Sequence, residues 1–220
     1  MTELIRKCNG MWLPATDIFF RDKPDYELDD YNVVLNHVKS KRCAVDIGAH
    51  VGFWTQRLVK DFNVVHAFEP VNSHLDCLKR NVQSHNLFLH DLSLSDRDGY
   101  LNFTVEYANS GMSRVSEQGQ KIKCQTLDSY QLLDVDLIKL DVEGHERRVL
   151  EGAQETILRC RPALIIEMFV HGSFEDVQKI FHLLEKWNYV LKTRISYNHI
   201  FLANDKDQPT NPYKHDLEID

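Results

Sequence analysis

Apolar residues follow two spacings along this chain, and together they predict its elements. Compact runs at Cys43 to Ile47, Val64 to Phe68, Leu87 to His90, Asp136 to Leu140 and Ala163 to Ile166 have the length of strands buried in a sheet. Between them, apolar residues fall at helical intervals: from Phe53 to Lys60, at Leu75, Leu78 and Val82, at Val149, Leu150, Ala153 and Ile157, and at Phe174, Val177, Phe181 and Leu184. Arg161-Pro162 closes the third of these helices and Ser173 caps the fourth. Ahead of the first strand, Leu28, Tyr31, Leu35 and Val38 mark a further amphipathic helix, with Asp25 and Glu27 near its start, where acids complement the helix dipole. Strands that alternate with helices imply a parallel sheet. Tyr189 to Leu191 and His199 to Leu202 finish as an antiparallel pair. The expected fold is therefore α/β: a Rossmann-like doubly wound seven-stranded sheet, mostly parallel, with an antiparallel last strand.

The alternation lapses around residues 100–126. Leu101, Phe103, Val105 and Tyr107 alternate with polar residues, as do Ile122 and Cys124, which predicts a small β excursion bracketing Asn109-Ser110-Gly111-Met112-Ser113-Arg114. That loop reads equally well as a plain exposed turn or as part of a site. Residues 1–40 form an extension of the same domain, with a short strand or lid at Gly10 to Phe20 and then the first helix. Residues 41–203 form the main domain. Residues 204–220, polar and with two prolines, read as a flexible tail.

Candidate chemistry gathers at the strand ends. In an open α/β sheet, ligands bind outside the carboxyl ends of the strands, and here those ends carry Gly48 to Gly52, Glu69-Pro70, Asp91 to Asp96, Asp141 to His145, and Glu167 to His171. In the first turn, Asp46-Ile47-Gly48-Ala49-His50-Val51-Gly52, glycine permits a tight bend and leaves room for a ligand or a neighbouring strand. Its Gly-x-x-x-Gly spacing is neither the dinucleotide fingerprint nor the phosphate loop, which needs a Lys-Ser/Thr pair. Glu69 ends the second strand, and an acid about 20 residues beyond such a turn bonds ribose hydroxyls.

Composition narrows the class. The 220 residues suit one domain, 43% apolar and 27% charged, with no run of membrane-spanning length. Five cysteines without a C-x-x-C pair, and an N-terminus without a secretory apolar segment, fit reduced thiols in a cytoplasmic protein. Eleven histidines show no zinc-site spacing, so no metal is expected. A net charge of −7 argues against a broad phosphate-binding surface.

The turn resembles the first motif of class I S-adenosylmethionine-dependent methyltransferases, Asp-x-Gly-x-x-x-Gly. The run Asp136-Leu-Ile-Lys-Leu-Asp141-Val-Glu143-Gly144-His145-Glu146, with Thr126-Leu127-Asp128 before it and Leu150-Glu151-Gly152-Ala153 after it, is similar to the FkbM family of methyltransferases. The likeness spans about Cys43 to Leu202. It implies the class I methyltransferase fold, S-adenosylmethionine as cofactor and methyl transfer, usually to a hydroxyl oxygen, with the Asp141 to Glu146 run beside the sulfonium. Cofactor contacts are then expected from Asp46, Gly48, Ala49, His50, Gly52, Phe53, Glu69, Pro70, Asp91, Ser93 and Asp141. For chemistry, Asp141 is expected to position the acceptor or the methionine amine, with Glu143 or His145 assisting proton removal, Glu167 nearby and His171 as a further base candidate. His145 also reads as a helix cap, and Glu143 as a helix-start acid facing the dipole. The expected acceptor is a hydroxyl on a small molecule or carbohydrate. RNA ribose or a nitrogen acceptor would call for a basic groove from residues such as Arg114, Arg147 and Arg148, and a binding module that keeps the pocket without catalysis is the rival from another class.

Overall fold

In the computed structural model, which describes residues 4–6, 10–23, 25–168 and 173–204, the chain begins with a two-stranded ribbon of β1 (Leu4–Arg6) and β2 (Trp12–Pro14), followed by α1 (Leu28–Leu35). The alternating core starts with β3 (Cys43–Ile47), α2 (Thr55–Asp61), β4 (Val64–Phe68), α3 (Asn72–Asn81) and β5 (Leu87–His90). A separate small sheet interrupts it: β6 (Ser93–Leu94), β7 (Gly99–Thr104), β8 (Arg114–Val115) and β9 (Gln120–Gln125). The core resumes with β10 (Val135–Leu140), α4 (Glu146–Glu151), α5 (Gln154–Cys160), β11 (Ala163–Glu167), α6 (Phe174–Lys186), β12 (Tyr189–Ile195) and β13 (Asn198–Ala203).

Seven strands form one sheet in the order β12-β13-β11-β10-β3-β4-β5, and β13 alone runs antiparallel to its neighbours. The chain leaves β3 outward through β4 and β5, then returns to place β10 on the other side of β3. This reversal opens a crevice between the carboxyl ends of β3 and β10, the place where such sheets take ligands. Apolar residues cover both faces of the sheet. On one, Val45, Ile47, Ile138 and Leu164 pack with Leu150 of α4, Ile157 of α5 and Leu184 of α6; on the other, Ala44, Val65 and Leu137 pack with Tyr31 of α1 and Leu58 of α2. No helix among the described residues is long and apolar enough to cross a membrane. Cys43, Cys77, Cys124 and Cys160 are free thiols. His171 and, of the expected tail of residues 204–220, all but Asn204 lie outside the described residues.

Three expectations need correction. The helix marked by Val149 to Ile157 is two helices, because the chain breaks at Gly152, where a Cβ would stand 2.0 Å from the Ser95 carbonyl oxygen. The close approach of the β6–β7 connection thus sets the break. The strand through Leu101 to Tyr107 ends at Thr104, since β8, its partner there, is two residues long. The first helix stops at Leu35, short of Val38. The cap at Ser173 forms as its sequence indicates, the side chain accepting from the Asp176 amide at 3.0 Å.

Gly152→Ala should lower the thermal midpoint by several degrees, the effect of an overpacking cost of about 1–3 kcal/mol. An unchanged midpoint in a melting experiment would show that the Ser95 carbonyl and the helix break separate freely.

Candidate active site

The crevice is a cavity of about 250 Å³, near the lower end of the roughly 300–1,000 Å³ of small-ligand sites. Its floor is the turn after β3. Gly48 has φ +78°, and a Cβ there would stand 1.8 Å from the Asp141 carbonyl oxygen, so only glycine lets the ends of β3 and β10 meet. Gly52 has φ +96° and faces Val82 and Leu78 around α3. It serves packing and lies outside the cavity wall, whereas Gly48, Ala49, His50 and Phe53 line it.

Asp46, expected as a cofactor contact, is fully buried beneath the turn. Its Oδ2 accepts from Thr55 Oγ1 at 2.6 Å, fastening the turn to the start of α2, and its Oδ1 lies 4.0 Å from Lys139 Nζ. Glu69 and Pro70 line the cavity from the end of β4. Both Glu69 oxygens are held: Oε2 accepts from the His50 amide at 2.9 Å, and Oε1 accepts from the Val71 amide at 2.9 Å and pairs with His74 Nδ1 at 3.1 Å. Ser93 also lines the cavity, but Asp91 is exposed and away from it, because β5 ends one residue earlier and the chain turns outward.

Opposite the turn, the ends of β10 and β11 deliver three carboxylates. Asp141, Glu143 and Glu167 each place an oxygen within 4.8 Å of the others, the spacing of a group able to hold a metal ion. A protein cation already serves Asp141. Lys139, on β10 and 4% exposed, donates to Asp141 Oδ2 at 2.9 Å and to the Gly48 carbonyl at 3.1 Å. Burial alone would raise the Asp141 carboxyl, but the Lys139 ammonium and a hydrogen bond from Glu167 outweigh it and hold it below the usual range. Glu167 goes the other way, to about 11, through burial, the adjacent Asp141 charge and its own hydrogen bond to Asp141, so it carries the proton of the pair. Burial and Asp141 lift Glu143 to about 8. Glu27, reached from the chain ahead of α1, is raised by burial and by Asp141, and it accepts from Trp54 Nε1 at 2.6 Å and Asn198 Nδ2 at 3.1 Å.

The segment after Asp141 divides its labour. Glu143 and Gly144 adopt left-handed backbone, with φ 54° and 98°. Buried Glu146 clasps this turn, one oxygen accepting from the Val142 amide at 3.2 Å and the Gly144 amide at 3.0 Å. His145 departs from expectation. It occupies the N-cap position of α4 but makes no capping bond, and it lies outside the cavity wall with Nε2 2.9 Å from Ser95 Oγ. Burial holds its imidazole down at about 4, neutral beside that hydroxyl. The helix-start turn points the ring toward the β6–β7 connection, away from Asp141 and Glu143.

The roof comes from the segment before α1 and from the loop whose pattern fitted an exposed turn as well as part of a site. Phe19, Phe20, Tyr26 and Glu27 enter from the chain before α1, and Asn109 to Ser113 from the loop ahead of β8. That loop is docked: Ser110 is buried, and a Cβ at Gly111 would come 2.9 Å from the Phe20 ring. Asn109 Oδ1 is buried in the wall without a hydrogen-bond partner, an acceptor placed to meet a ligand donor. Buried Asp17 accepts from the Phe20 amide, the Ser110 amide and the Ser110 hydroxyl, and Ser110 Oγ lies 2.6 Å from His50 Nε2. Lys139 had a legible signal, a cation inside an apolar strand run. Asp17 had none, and Asn109 and Ser110 only the ambiguous pattern of their loop, because docking is what brings them to the site.

A family model described as the methyltransferase FkbM domain matches residues 46–191. Among solved structures, methyltransferase FkbM from Methylobacillus flagellatus KT superposes with a TM-score of 0.56 at 17% identity, over 86% of this chain and 48% of that one. The chain therefore spans about half the length of that relative, and at this identity the likeness is one of fold. Trm5b from Pyrococcus abyssi follows at 0.49 and 12% identity, over 91% of this chain and 54% of that one. Precorrin-6y C5,15-methyltransferase from Geobacter metallireducens GS-15 gives 0.48 and 12%, over 79% and 87%. No curated protein matches the sequence.

The acid cluster sets a pH dependence. Glu167 is raised from an ordinary 4.5 to about 11, so the folded chain holds this proton more tightly than the unfolded chain. Its contribution to stability is complete below about pH 4.5 and is lost as pH rises toward 11. Glu167→Gln keeps a donor toward Asp141 without that proton. Its melting temperature should exceed the wild-type value at pH 9, with the gap closing toward pH 5; parallel melting curves across that range would refute the assignment.

Proposed function

The chain belongs to the FkbM family of methyltransferases by its match over residues 46–191, and on that premise we propose that it uses S-adenosylmethionine to methylate a hydroxyl oxygen of a small molecule or carbohydrate. The observation that carries this reading is the pairing, across one cavity, of a glycine turn and strand-end acid with a carboxylate cluster: Gly48 and Glu69 on one side, Asp141, Glu143 and Glu167 on the other. The donor set fits the cofactor. Glu69 stands where ribose hydroxyls are bonded, Asn109 Oδ1 offers a buried acceptor for an amine, and the carboxylates face the place of a cation. When bound, S-adenosylmethionine supplies an electrophilic methyl on a positively charged sulfur.

The chain's own residues handle orientation and the proton. Lys139 keeps Asp141 ionised at the crevice, available to a ligand ammonium or hydroxyl. Protonated Glu167 holds Asp141 in place and neutralises part of the cluster. Glu143, poised at about 8, takes the proton that the acceptor oxygen releases as it gains the methyl, since a base near the working pH transfers protons most effectively. The roof of Phe19, Phe20 and Tyr26 keeps water from the reacting atoms.

The same geometry weighs against a nucleic-acid acceptor. Among the described residues Lys139 is the single Lys or Arg of the cavity wall, while Glu27, Glu143 and Glu167 lie along it. The cations that an RNA groove would need are paired: Arg114 with Glu106, Arg147 with Glu151 and Asp176, and Arg148 with Asp96 and Glu151. The cytoplasm remains the compartment we propose, on the free cysteine thiols.

Calorimetry should show S-adenosylmethionine and its demethylated product binding, and NAD not, because no pyrophosphate cradle is built. Tight NAD binding without S-adenosylmethionine binding would overturn the cofactor assignment. With a genuine acceptor, kcat/KM should rise with pH through about 8, and Glu143→Gln should lower kcat by about 10²–10⁴-fold, the range of a general base, with cofactor affinity kept. Wild-type turnover in Glu143→Gln would remove Glu143 from the proton path.

A further inference from the structure

We infer that Asp17, which touches no ligand position, is a positioning residue for the cofactor: through Ser110 it latches His50 in the backbone conformation that aims the His50 amide at Glu69. The inference rests on the cofactor reading above and adds to it a residue outside the family-matched span of 46–191.

Hydrogen-bond direction follows from the partners. Asp17 is 0% exposed, and a carboxylate accepts, so the Ser110 hydroxyl donates to Asp17 Oδ2, as does the Ser110 amide at 3.0 Å. With its proton committed there, Ser110 Oγ can only accept from His50 Nε2, 2.6 Å away. The imidazole therefore carries its hydrogen on Nε2, and three buried or half-buried groups form one chain with fixed polarity, each link strengthening the next. Asp17 is itself held by the Phe20 amide on Oδ1 at 3.0 Å, and the segment is tied to the loop a second time by the Ile18 amide on the Ala108 carbonyl at 3.0 Å.

His50 needs such a latch. It is a non-glycine residue with φ 51°, a left-handed conformation that is strained for a residue bearing a side chain. In that conformation its amide points at Glu69 Oε2, 2.9 Å away, and helps fix the carboxylate that would receive the ribose. The ring is further braced by Phe20 at 5.0 Å and His74 at 4.6 Å between centroids. The latch thus joins the segment before α1, the loop before β8 and the turn after β3, three pieces that no strand pairing connects.

The test is a cycle on the full chain, read as S-adenosylmethionine Kd by calorimetry and as KM against kcat. Asp17→Asn places an amide donor against either the Ser110 or the Phe20 N–H. It should weaken S-adenosylmethionine binding by about 2- to 12-fold, the worth of one hydrogen bond, and raise KM for the cofactor while kcat at saturation holds. In a His50→Gly background, where the left-handed turn is free of side-chain cost, Asp17→Asn should weaken binding no further. If Asp17→Asn does not fold, Ser110→Ala, which keeps both amide bonds to Asp17, is read in the same way. A lower melting temperature with unchanged Kd would make Asp17 a fastener of the fold alone, and an equal loss in the His50→Gly background would show that it does not act through His50. Either result overturns the inference. A wild-type chain that binds no S-adenosylmethionine overturns the cofactor reading itself, and this inference with it.

Discussion

A single buried ammonium organises the crevice. Lys139 lies inside the sheet on β10 and bonds both the end of its own strand, at Asp141, and the turn after β3, at the Gly48 carbonyl, with Asp46 4.0 Å away. An isolated charge at such depth is costly, so its removal would leave Asp46 and Asp141 as uncompensated buried acids, and breaking a buried pair of this kind typically costs about 3–5 kcal/mol. The ammonium also decides where protons sit. Because it keeps Asp141 ionised, Glu167 and Glu143 face a fixed negative charge in a medium of low polarisability, and both hold their protons to unusually high pH. Burial, together with the Asp141 charge that this ammonium maintains, thus sets the proton inventory of the cluster.

The second constraint is close approach. The ends of β3 and β10 meet with so little space that Gly48 cannot carry a Cβ, and the α4–α5 break at Gly152 answers the same demand from the Ser95 carbonyl. Both contacts sit along the run from Asp141 to Gly152, inside the family-matched span. Some of its residues therefore serve packing while others face the cavity. Glu146 clasps the turn and His145 bonds Ser95, whereas Asp141 and Glu143 line the site.

The third is the roof. The family match begins at Asp46, yet Phe19, Phe20, Tyr26 and Glu27, all ahead of it, complete the cavity with the loop of residues 109–113. A parallel sheet supplies a rim of strand ends that is open to solvent, and methyl transfer to an acceptor oxygen gains from the exclusion of water. Aromatic side chains from the segment before α1 and the polar loop of residues 109–113 close that rim, joined by the Asp17–Ser110–His50 chain of hydrogen bonds. These segments lie far from the glycine turn in sequence, so they can differ while that turn stays the same.

The amino-acid sequence by itself determined the fold and the rim. Short apolar runs and helical spacings place all seven core strands, and the strand-end rule selects Gly48, Glu69, Asp141, Glu143 and Glu167, because strand length, helix period and crossover direction are local properties that a linear pattern records. It also records the Ser173 cap, a contact across three residues. Tertiary structure alone decided which polar groups face the cavity. Asp46 and Gly52 turn out to be packing residues, His145 points to Ser95, Asp91 to solvent, and Ser110 meets Asp17 across 93 positions of chain and His50 across 60. The direction of a side chain at a strand end depends on which neighbour fills the space beside it, and that neighbour is fixed by the docking of distant segments, whose spacing along the chain carries no trace of the contact.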